Sequence, residues 1–84
     1  MSEPLQRRVR TVLADSGHLQ IDVGALADNA DLYAAGLTSH ATVNLMLVLE
    51  EAFDIEFPER LLRRTTFASV EAIAAALAEM GVKE

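Results

Sequence analysis

Ser39 is the residue whose type and position best suit chemistry in this 84-residue chain. It opens the longest predicted helix, where backbone N–H groups lack helical partners and the helix dipole is positive. An anion attached to the Ser39 hydroxyl would be stabilised there. Gly36 allows the preceding loop to bend close to the helix start. A serine here is also a common helix cap, but Thr38 offers a second hydroxyl that could serve as the cap and leave Ser39 free.

Other combinations of reactive residues do not form a catalytic or metal-binding pattern. Ser39 and His40 are adjacent, so on a helix they point about 100° apart and do not form a nucleophile–base pair. His18 and His40 lack the spacing typical of metal ligands. The chain contains no cysteine, which excludes disulfides, thiolate metal sites and a cysteine nucleophile. We therefore expect no catalytic residue, no metal site and no enzyme activity.

An acidic composition limits the classes of partner. Lys and Arg total 7 against 13 Asp and Glu, for a formal charge of −6. Such a surface repels phosphate backbones and anionic lipids, so we expect neither nucleic acid nor membrane as a partner. The longest strongly apolar run, residues 45–49, is too short for a membrane span or a signal peptide. We expect a cytoplasmic protein with a single domain over residues 1–84.

Hydrophobic periodicity predicts an all-α fold, a small four-helix bundle with a long loop between the first and second helices. The first helix is expected at about residues 3–15, with Gly17 ending it. Residues 16–37 lack sustained periodicity and form the long loop. Within this loop, residues 31–36 could form one helical turn capped by Asp31.

The second helix is predicted at residues 39–53 and has two apolar sides. Its core stripe consists of Thr42, Leu45, Met46, Leu49 and Phe53. On the outer side, Val43 and Leu47 lie one turn apart, near Glu50 and Glu51. Exposed apolar residues beside carboxylates suit a docking surface, although a neighbouring element could instead cover them.

The C-terminal part is predicted to contain a short helix and a longer one. The short helix spans residues 59–64, with Leu61 and Leu62 turned inward. Thr66 is expected to cap the last helix, at about residues 67–80. The apolar side of this helix consists of Phe67, Val70, Ile73, Ala74 and Leu77.

Two segments of the chain resemble a known family. Residues 31–45, DLYAAGLTSHATVNL, resemble the phosphopantetheine attachment segment of acyl carrier proteins. The family pattern there is Asp-Leu, a few residues, Gly-x-Asp-Ser-Leu, and then a helix with Val-Glu-Leu. Residues 49–58, LEEAFDIEFP, resemble the family's Leu-Glu-Glu-x-Phe-x-Ile-x-Ile-Pro. The similarity continues in register over about residues 5–80.

The resemblance implies that Ser39 is the attachment point of a covalent 4′-phosphopantetheine group. A phosphopantetheinyl transferase would move this group from coenzyme A onto the serine hydroxyl. The terminal thiol of the group would carry an acyl or aminoacyl unit as a thioester, loaded by a ligase and presented to downstream biosynthetic enzymes. The implied protein is a stand-alone, monomeric carrier.

The resemblance also implies a partner surface along the second helix. This surface consists of Thr38, His40, Val43, Leu47, Glu50 and Glu51. Val43 and Leu47 would face partner enzymes, and the two glutamates would pair with basic residues on them. The alternative is a non-modified helical interaction module that uses the same surface.

Departures from the family pattern indicate a specialised carrier. Thr38 stands where the family has Asp, His40 where it has Leu, and Asn44 where it has the Glu of Val-Glu-Leu. The first turn of the second helix has therefore lost its negative charge. Positive charge is added by Arg60, Arg63 and Arg64. Because charge complementarity selects partners, we expect a dedicated partner set rather than that of general fatty-acid synthesis.

Overall fold

The computed structural model describes residues 4–16 and 23–82, and all regular structure within them is helical. The α-helices are α1 (Leu5–Ser16), α2 (Ser39–Phe53) and α3 (Val70–Glu79). The 3₁₀ helices are Val23–Ala25, Glu59–Leu61 and Arg64–Phe67. The all-α fold with a long loop before the second helix is confirmed, with the short third helix present as a 3₁₀ turn. No helix in these two stretches is long and apolar enough to span a bilayer.

Helix α1 begins directly after Pro4, whose carbonyl accepts the N–H groups of Arg7 and Arg8 at 3.1 and 3.3 Å. Proline suits this place because its missing N–H would have no helical acceptor. The buried stripe of α1 consists of Leu5, Val9 and Leu13. It packs against both α2 and α3. Gly17, the predicted end of the helix, lies outside the described residues.

Helix α2 has the predicted bounds and most of the predicted core stripe, but Thr42 is only half-buried and Ala41 is buried instead. Leu45 and Leu49 are fully buried, while Met46 and Phe53 pack against the core from its edge. The helix ends at Phe53, and its C-cap residue Asp54 takes the left-handed conformation at φ 53°. Aspartate tolerates this conformation better than most residues.

Helix α3 begins later than predicted, and the expected cap Thr66 is wrong. Ser69 is the N-cap, and its Oγ accepts the N–H of Ala72 at 3.0 Å. Thr66 is instead buried within the 3₁₀ turn Arg64–Phe67. The apolar side of α3 is buried as predicted. Of the three hydroxyl residues before this helix, Thr65, Thr66 and Ser69, the one directly preceding its first residue is the cap.

Leu61 is buried as predicted, but the inward orientation of Leu62 is wrong, because Leu62 is 47% exposed. The segment Glu59–Leu61 is a 3₁₀ turn. Leu62 follows this turn with a non-helical ψ of 64°, so its side chain does not continue the buried side of the turn.

The core lies between the three α-helices and includes the end of the long loop. Its fully buried large side chains are Val9, Leu13, Leu32, Leu45, Leu49, Val70, Ile73 and Leu77. Phe57 and Phe67 add an edge-to-face contact with ring centroids 5.3 Å apart. Such a geometry is favourable beyond the buried area alone.

The loop before α2 is tied to the segment that leads into α3. The Leu32 N–H donates to the Ala68 carbonyl at 2.7 Å, and the Glu71 N–H donates to the Asp28 carbonyl at 2.8 Å. Asp28 also pairs with Arg10 of α1 at 2.6 Å. These contacts hold the loop against the helices on both sides of it, so its last residues enter α2 from a fixed place.

We predict that Leu45→Ala destabilises the fold by about 2–5 kcal/mol, because it leaves a cavity in a fully buried position. Urea unfolding followed by circular dichroism measures the change. Leu47→Ala is the matched control on the same helix, since Leu47 is 53% exposed. We expect less than about 1 kcal/mol for the control. Equal losses for the two variants would contradict the assignment of core and outer faces.

Candidate functional site

Ser39 is the first residue of α2, and the cap of this helix is Thr38. The Thr38 Oγ1 accepts the N–H of Ala41 at 3.0 Å. The Thr38 carbonyl accepts the N–H and the hydroxyl of Thr42 at 2.8 and 2.7 Å. Thr38 therefore supplies the cap, as the sequence suggested. The Ser39 side chain is exposed beside the positive end of the helix dipole.

The turn before Ser39 forms over residues 31–36, as predicted. The Asp31 carboxylate accepts the N–H of Tyr33 at 2.9 Å. Gly36 has φ 113°, a conformation that favours glycine, and its N–H donates to the Tyr33 carbonyl at 3.2 Å. Leu32 within the turn and Leu37 directly after it are both buried. The turn thus fixes the path of the chain up to three residues before the serine.

His40 follows Ser39 and is also exposed. Because consecutive side chains on a helix point about 100° apart, His40 is not placed to act as a base for Ser39. Within residues 4–16 and 23–82, no group of three His, Asp, Glu or Cys side chains lies close enough together to hold a metal ion. His18, weighed above as a metal ligand, lies outside the described residues.

The outer face of α2 is free of neighbouring elements at its two apolar residues. Val43 is 56% exposed and Leu47 is 53% exposed. Asn44 and Glu51 are exposed beside them. The sequence left open whether a neighbouring element covers Val43 and Leu47. Within the described residues no element covers them, so that interpretation is wrong and the two side chains form an exposed apolar pair.

Glu50 lies differently from Glu51. Its Oε2 accepts the N–H of Phe57 at 2.8 Å, and the residue is half-buried. This bond spans the end of α2 and holds the following turn against the helix. One oxygen of the Glu50 carboxylate is thus used within the chain, whereas Glu51 is exposed and free to face a partner.

An open pocket of about 410 Å³ lies beside Ser39. It is lined by Tyr33, Ser39, Thr42, Val43, Met46, Leu62, Arg63, Arg64 and Phe67. The sequence reasoning did not assign Tyr33, Met46 or Leu62 to a site. In the sequence, only the adjacent arginines stood out, because their positive charge departs from the family pattern. The lining residues come from three separate segments of the chain, which only the fold brings together.

A phosphodiester fits the residues around Ser39. The serine hydroxyl is exposed, and the first turn of α2 contains no acidic residue. Arg63 and Arg64 line the adjacent pocket. A helix N-terminus and guanidinium groups both stabilise an attached anion.

The profile of the family described as "Phosphopantetheine attachment site" matches residues 7–77. The chain belongs to the phosphopantetheine-binding, acyl carrier protein family. The prosthetic group of this family is a covalent 4′-phosphopantetheine, so the predicted family and cofactor are confirmed. The predicted bundle of the acyl-carrier type is confirmed as well, by the solved structures that it resembles.

Several known carrier proteins are similar to this one. An aminoacyl carrier protein of Agrobacterium fabrum (strain C58 / ATCC 33970) is 60% identical over 65 residues, which cover 77% of this chain and 78% of the relative. A carrier protein from Agrobacterium tumefaciens, crystallised with engineered Bradyrhizobium japonicum glycine:[carrier protein] ligase and ATP, is 52% identical with a TM-score of 0.86. That match covers 89% of this chain and 97% of the other.

A second solved complex extends the comparison to a more distant relative. A glycylated carrier protein, crystallised with Bradyrhizobium japonicum glycine:[carrier protein] ligase, is 28% identical with a TM-score of 0.75. The match covers 88% of this chain and 99% of the other. The carrier fold is therefore shared across a wide range of sequence identity.

We predict that Thr38→Ala lowers the free energy of unfolding by about 1 kcal/mol, because the Ala41 N–H loses its acceptor. Ser39→Ala serves as the control, since the serine is exposed and does not accept that bond. We expect it to change stability by less than about 0.5 kcal/mol. Urea unfolding of both apo variants measures the difference. A larger loss for Ser39→Ala than for Thr38→Ala would mean that the serine is the cap.

Proposed function

We propose that this chain is an aminoacyl carrier, with 4′-phosphopantetheine attached to Ser39 and an amino acid:[carrier protein] ligase as its loading partner. The observation that supports Ser39 is that its hydroxyl is exposed at the start of α2 while Thr38 provides the cap. Its Oγ would attack the pyrophosphate phosphorus of coenzyme A that bears the pantetheine group, forming the Oγ–P bond, breaking the P–O bond to the other phosphate and releasing 3′,5′-ADP and a proton. A phosphopantetheinyl transferase supplies the catalysis of this step.

The residues of this chain bind and position rather than react. Thr38 holds the first turn of α2, and the turn at residues 31–36 fixes the chain before Ser39. When bound, the prosthetic group supplies a thiol that carries the cargo as a thioester. The chain contains no cysteine that could compete with this thiol. We also propose that the chain is non-catalytic, cytoplasmic and monomeric, and that it forms a single domain over residues 1–84.

An aminoacyl cargo is favoured over a fatty acyl cargo by the relatives. The Agrobacterium fabrum relative is named an aminoacyl carrier protein, and two similar carriers were crystallised with glycine:[carrier protein] ligase. The loss of acidic residues from the first turn of α2 also fits a dedicated partner. We therefore propose glycine as the first amino acid to test.

The proposed partner surface follows the outer side of α2. It consists of Thr38, His40, Val43, Leu47, Glu50 and Glu51. Val43 and Leu47 supply an uncovered apolar pair, and exposed pairs of this kind commonly anchor a partner. Because one Glu50 oxygen is engaged by Phe57, Glu51 is the better placed of the two to pair with a basic partner residue.

We predict that incubation with coenzyme A and a promiscuous phosphopantetheinyl transferase adds the mass of one phosphopantetheine to the intact protein. Ser39→Ala abolishes the gain, because the accepting hydroxyl is removed. Thr38→Asn is the matched control, since it removes the neighbouring hydroxyl but keeps a good helix cap. Intact mass spectrometry measures all three proteins. No gain with several transferases would favour the non-modified interaction module instead.

We predict that Val43→Asp or Leu47→Asp lowers the kcat/KM of ligase-catalysed loading by about fivefold or more, since each removes an apolar contact from the docking surface. Loading is followed on holo protein with a glycine:[carrier protein] ligase. Ala75→Asp, on the exposed side of α3, adds the same charge elsewhere. Circular dichroism is expected to stay unchanged in all three. Unfolding of the α2 variants would show that these residues are core, and unchanged loading would place docking elsewhere.

A further inference from the structure

The exposed apolar residues of the described chain extend beyond α2. In the part of the chain that the structure describes, three large apolar side chains are exposed, and they are Val43, Leu47 and Leu62. Leu62 belongs to a different segment, but it lines the same open pocket as Val43. Val43 and Leu47 lie one turn apart on α2. The three side chains therefore form one surface, the extended docking surface, which reaches from α2 to the connection before α3.

Leu62 and Arg63 occupy a defined place in this connection. The Leu62 N–H donates to the Glu59 carbonyl at 3.0 Å, and Arg63 is extended, with φ −129° and ψ 153°. Both side chains are exposed, whereas Leu61 before them and Thr66 after them are buried. The exposed pair thus lies between two turns that are each anchored in the fold, so a partner meets it at a fixed position beside the start of α2.

The extended docking surface is positively charged at its serine end. Of the three arginines in this part of the chain, Arg60 pairs with Glu79 at 2.5 Å. The Arg64 guanidinium lies 3.9 Å from the centre of the Tyr33 ring, a contact that holds the group but does not neutralise its charge. Arg63 is exposed, and no carboxylate of the described residues pairs with Arg63 or Arg64. Two positive charges are therefore left for a partner.

The other end of the surface is negatively charged. Glu51 is exposed and lies eight residues after Val43 on α2, which is about 12 Å along the helix axis. Among the described residues, no acidic side chain lines the pocket beside Ser39, and the first turn of α2 contains none. Positive, apolar and negative groups thus follow one another along the surface. Such an order favours one docking orientation for a partner of complementary charge.

A protein face matches this order better than a phosphate-rich partner does. Phosphate backbones and anionic lipids would be attracted by the two arginines, but they present negative charge over their whole length. Glu51 and the formal charge of −6 both oppose such a partner. A protein face can place carboxylates at one end, apolar side chains in the middle and a basic residue at the other end.

We infer that the loading ligase of this carrier presents carboxylate side chains to Arg63 and Arg64 and an apolar side chain to Leu62. The inference rests on the proposed function, because the ligase is the partner proposed there. It adds the connection before α3 to the docking surface and assigns the acidic part of the partner to the serine end. The same two arginines repel an enzyme that has basic residues at this place, so they also exclude wrong partners.

The first test measures kcat and KM for the loading of holo protein by a glycine:[carrier protein] ligase. Arg63→Ala is expected to raise the KM for the carrier about 1.5- to 5-fold, the range for one exposed ion pair, and to leave kcat unchanged. Arg63→Glu raises this KM further, because repulsion replaces attraction. Arg7→Glu, on the exposed side of α1, changes the net charge equally and is expected to leave KM unchanged.

Two kinetic results would contradict the inference. Equal KM values for Arg63→Glu and Arg7→Glu would show that the charge at position 63 does not face the ligase. A fall in kcat without a rise in KM would place Arg63 near the reacting group rather than in the docking contact. Circular dichroism is expected to be the same for all the variants, since Arg63 and Arg7 are both exposed.

Salt dependence separates a charge contact from a change in packing. The difference in kcat/KM between Arg63→Glu and Arg7→Glu is expected to shrink as NaCl rises from about 0.05 to 0.5 M, because salt screens exposed charges. Leu62→Ser is expected to raise KM by a factor that salt does not reduce, since it removes an apolar contact. A charge effect that salt leaves unchanged, or an unchanged KM for Leu62→Ser, would overturn the inference.

A charge swap tests the chemistry of the partner directly. Exposed Asp and Glu residues of the ligase are replaced singly by Lys, and each ligase variant is assayed with the wild-type carrier and with Arg63→Glu. At least one replacement is expected to raise KM for the wild-type carrier and to lower it for Arg63→Glu. No such rescue by any replacement would overturn the inference and leave the proposed function intact. Failure of the ligase to load wild-type holo protein would remove both together.

Discussion

Capping of α2 by Thr38 rather than by Ser39 is the interaction on which the rest of the site depends. The Thr38 hydroxyl satisfies the Ala41 N–H, so the helix start does not need the serine. Ser39 keeps an exposed hydroxyl in a well-defined place, at the positive end of the longest helix. If the serine capped the helix, its modification would cost the helix its first side-chain bond. Separate residues for the two roles remove that conflict.

The charge of the whole chain and the charge around Ser39 have opposite signs. The chain carries a formal charge of −6, yet the first turn of α2 has no acidic residue and two arginines line the adjacent pocket. The exposed Glu51 lies toward the other end of the same helix. A partner that reads this face therefore meets positive charge near the serine and negative charge farther along. Net charge alone, which argues against anion binding, does not describe this surface.

Local periodicity predicted the helices because their apolar stripes are properties of short segments. Residues 39–53 were predicted as a helix from spacing, and α2 has these bounds. Features that depend on distant contacts were not predictable in this way. Leu62 is exposed because the 3₁₀ turn ends at Leu61 and the chain leaves helical geometry at Leu62. Ser69 rather than Thr66 caps α3 because Thr66 is buried in the preceding turn.

The candidate site divides along the same line. Ser39, Val43 and Leu47 follow from the sequence, since one helix places all three. The bond from the Phe57 N–H to Glu50 joins residues seven apart, across a bend that no periodicity describes. The pocket combines Tyr33 with residues near position 63, about thirty positions later in the chain. Its composition was visible in the sequence only as an unexplained pair of arginines.

The loop contacts to residues 64–71 have a mechanical consequence for delivery. Leu32, Tyr33 and Asp28 each form a hydrogen bond to that segment. These bonds hold the loop that precedes Ser39 against the rest of the fold. For an arm attached at Ser39, as proposed, the distance over which cargo travels would be set by the length of the arm and not by motion of its attachment point. In a complex with an enzyme that binds the outer face of α2, the attachment point at Ser39 would then lie at a fixed distance from the catalytic centre of that enzyme.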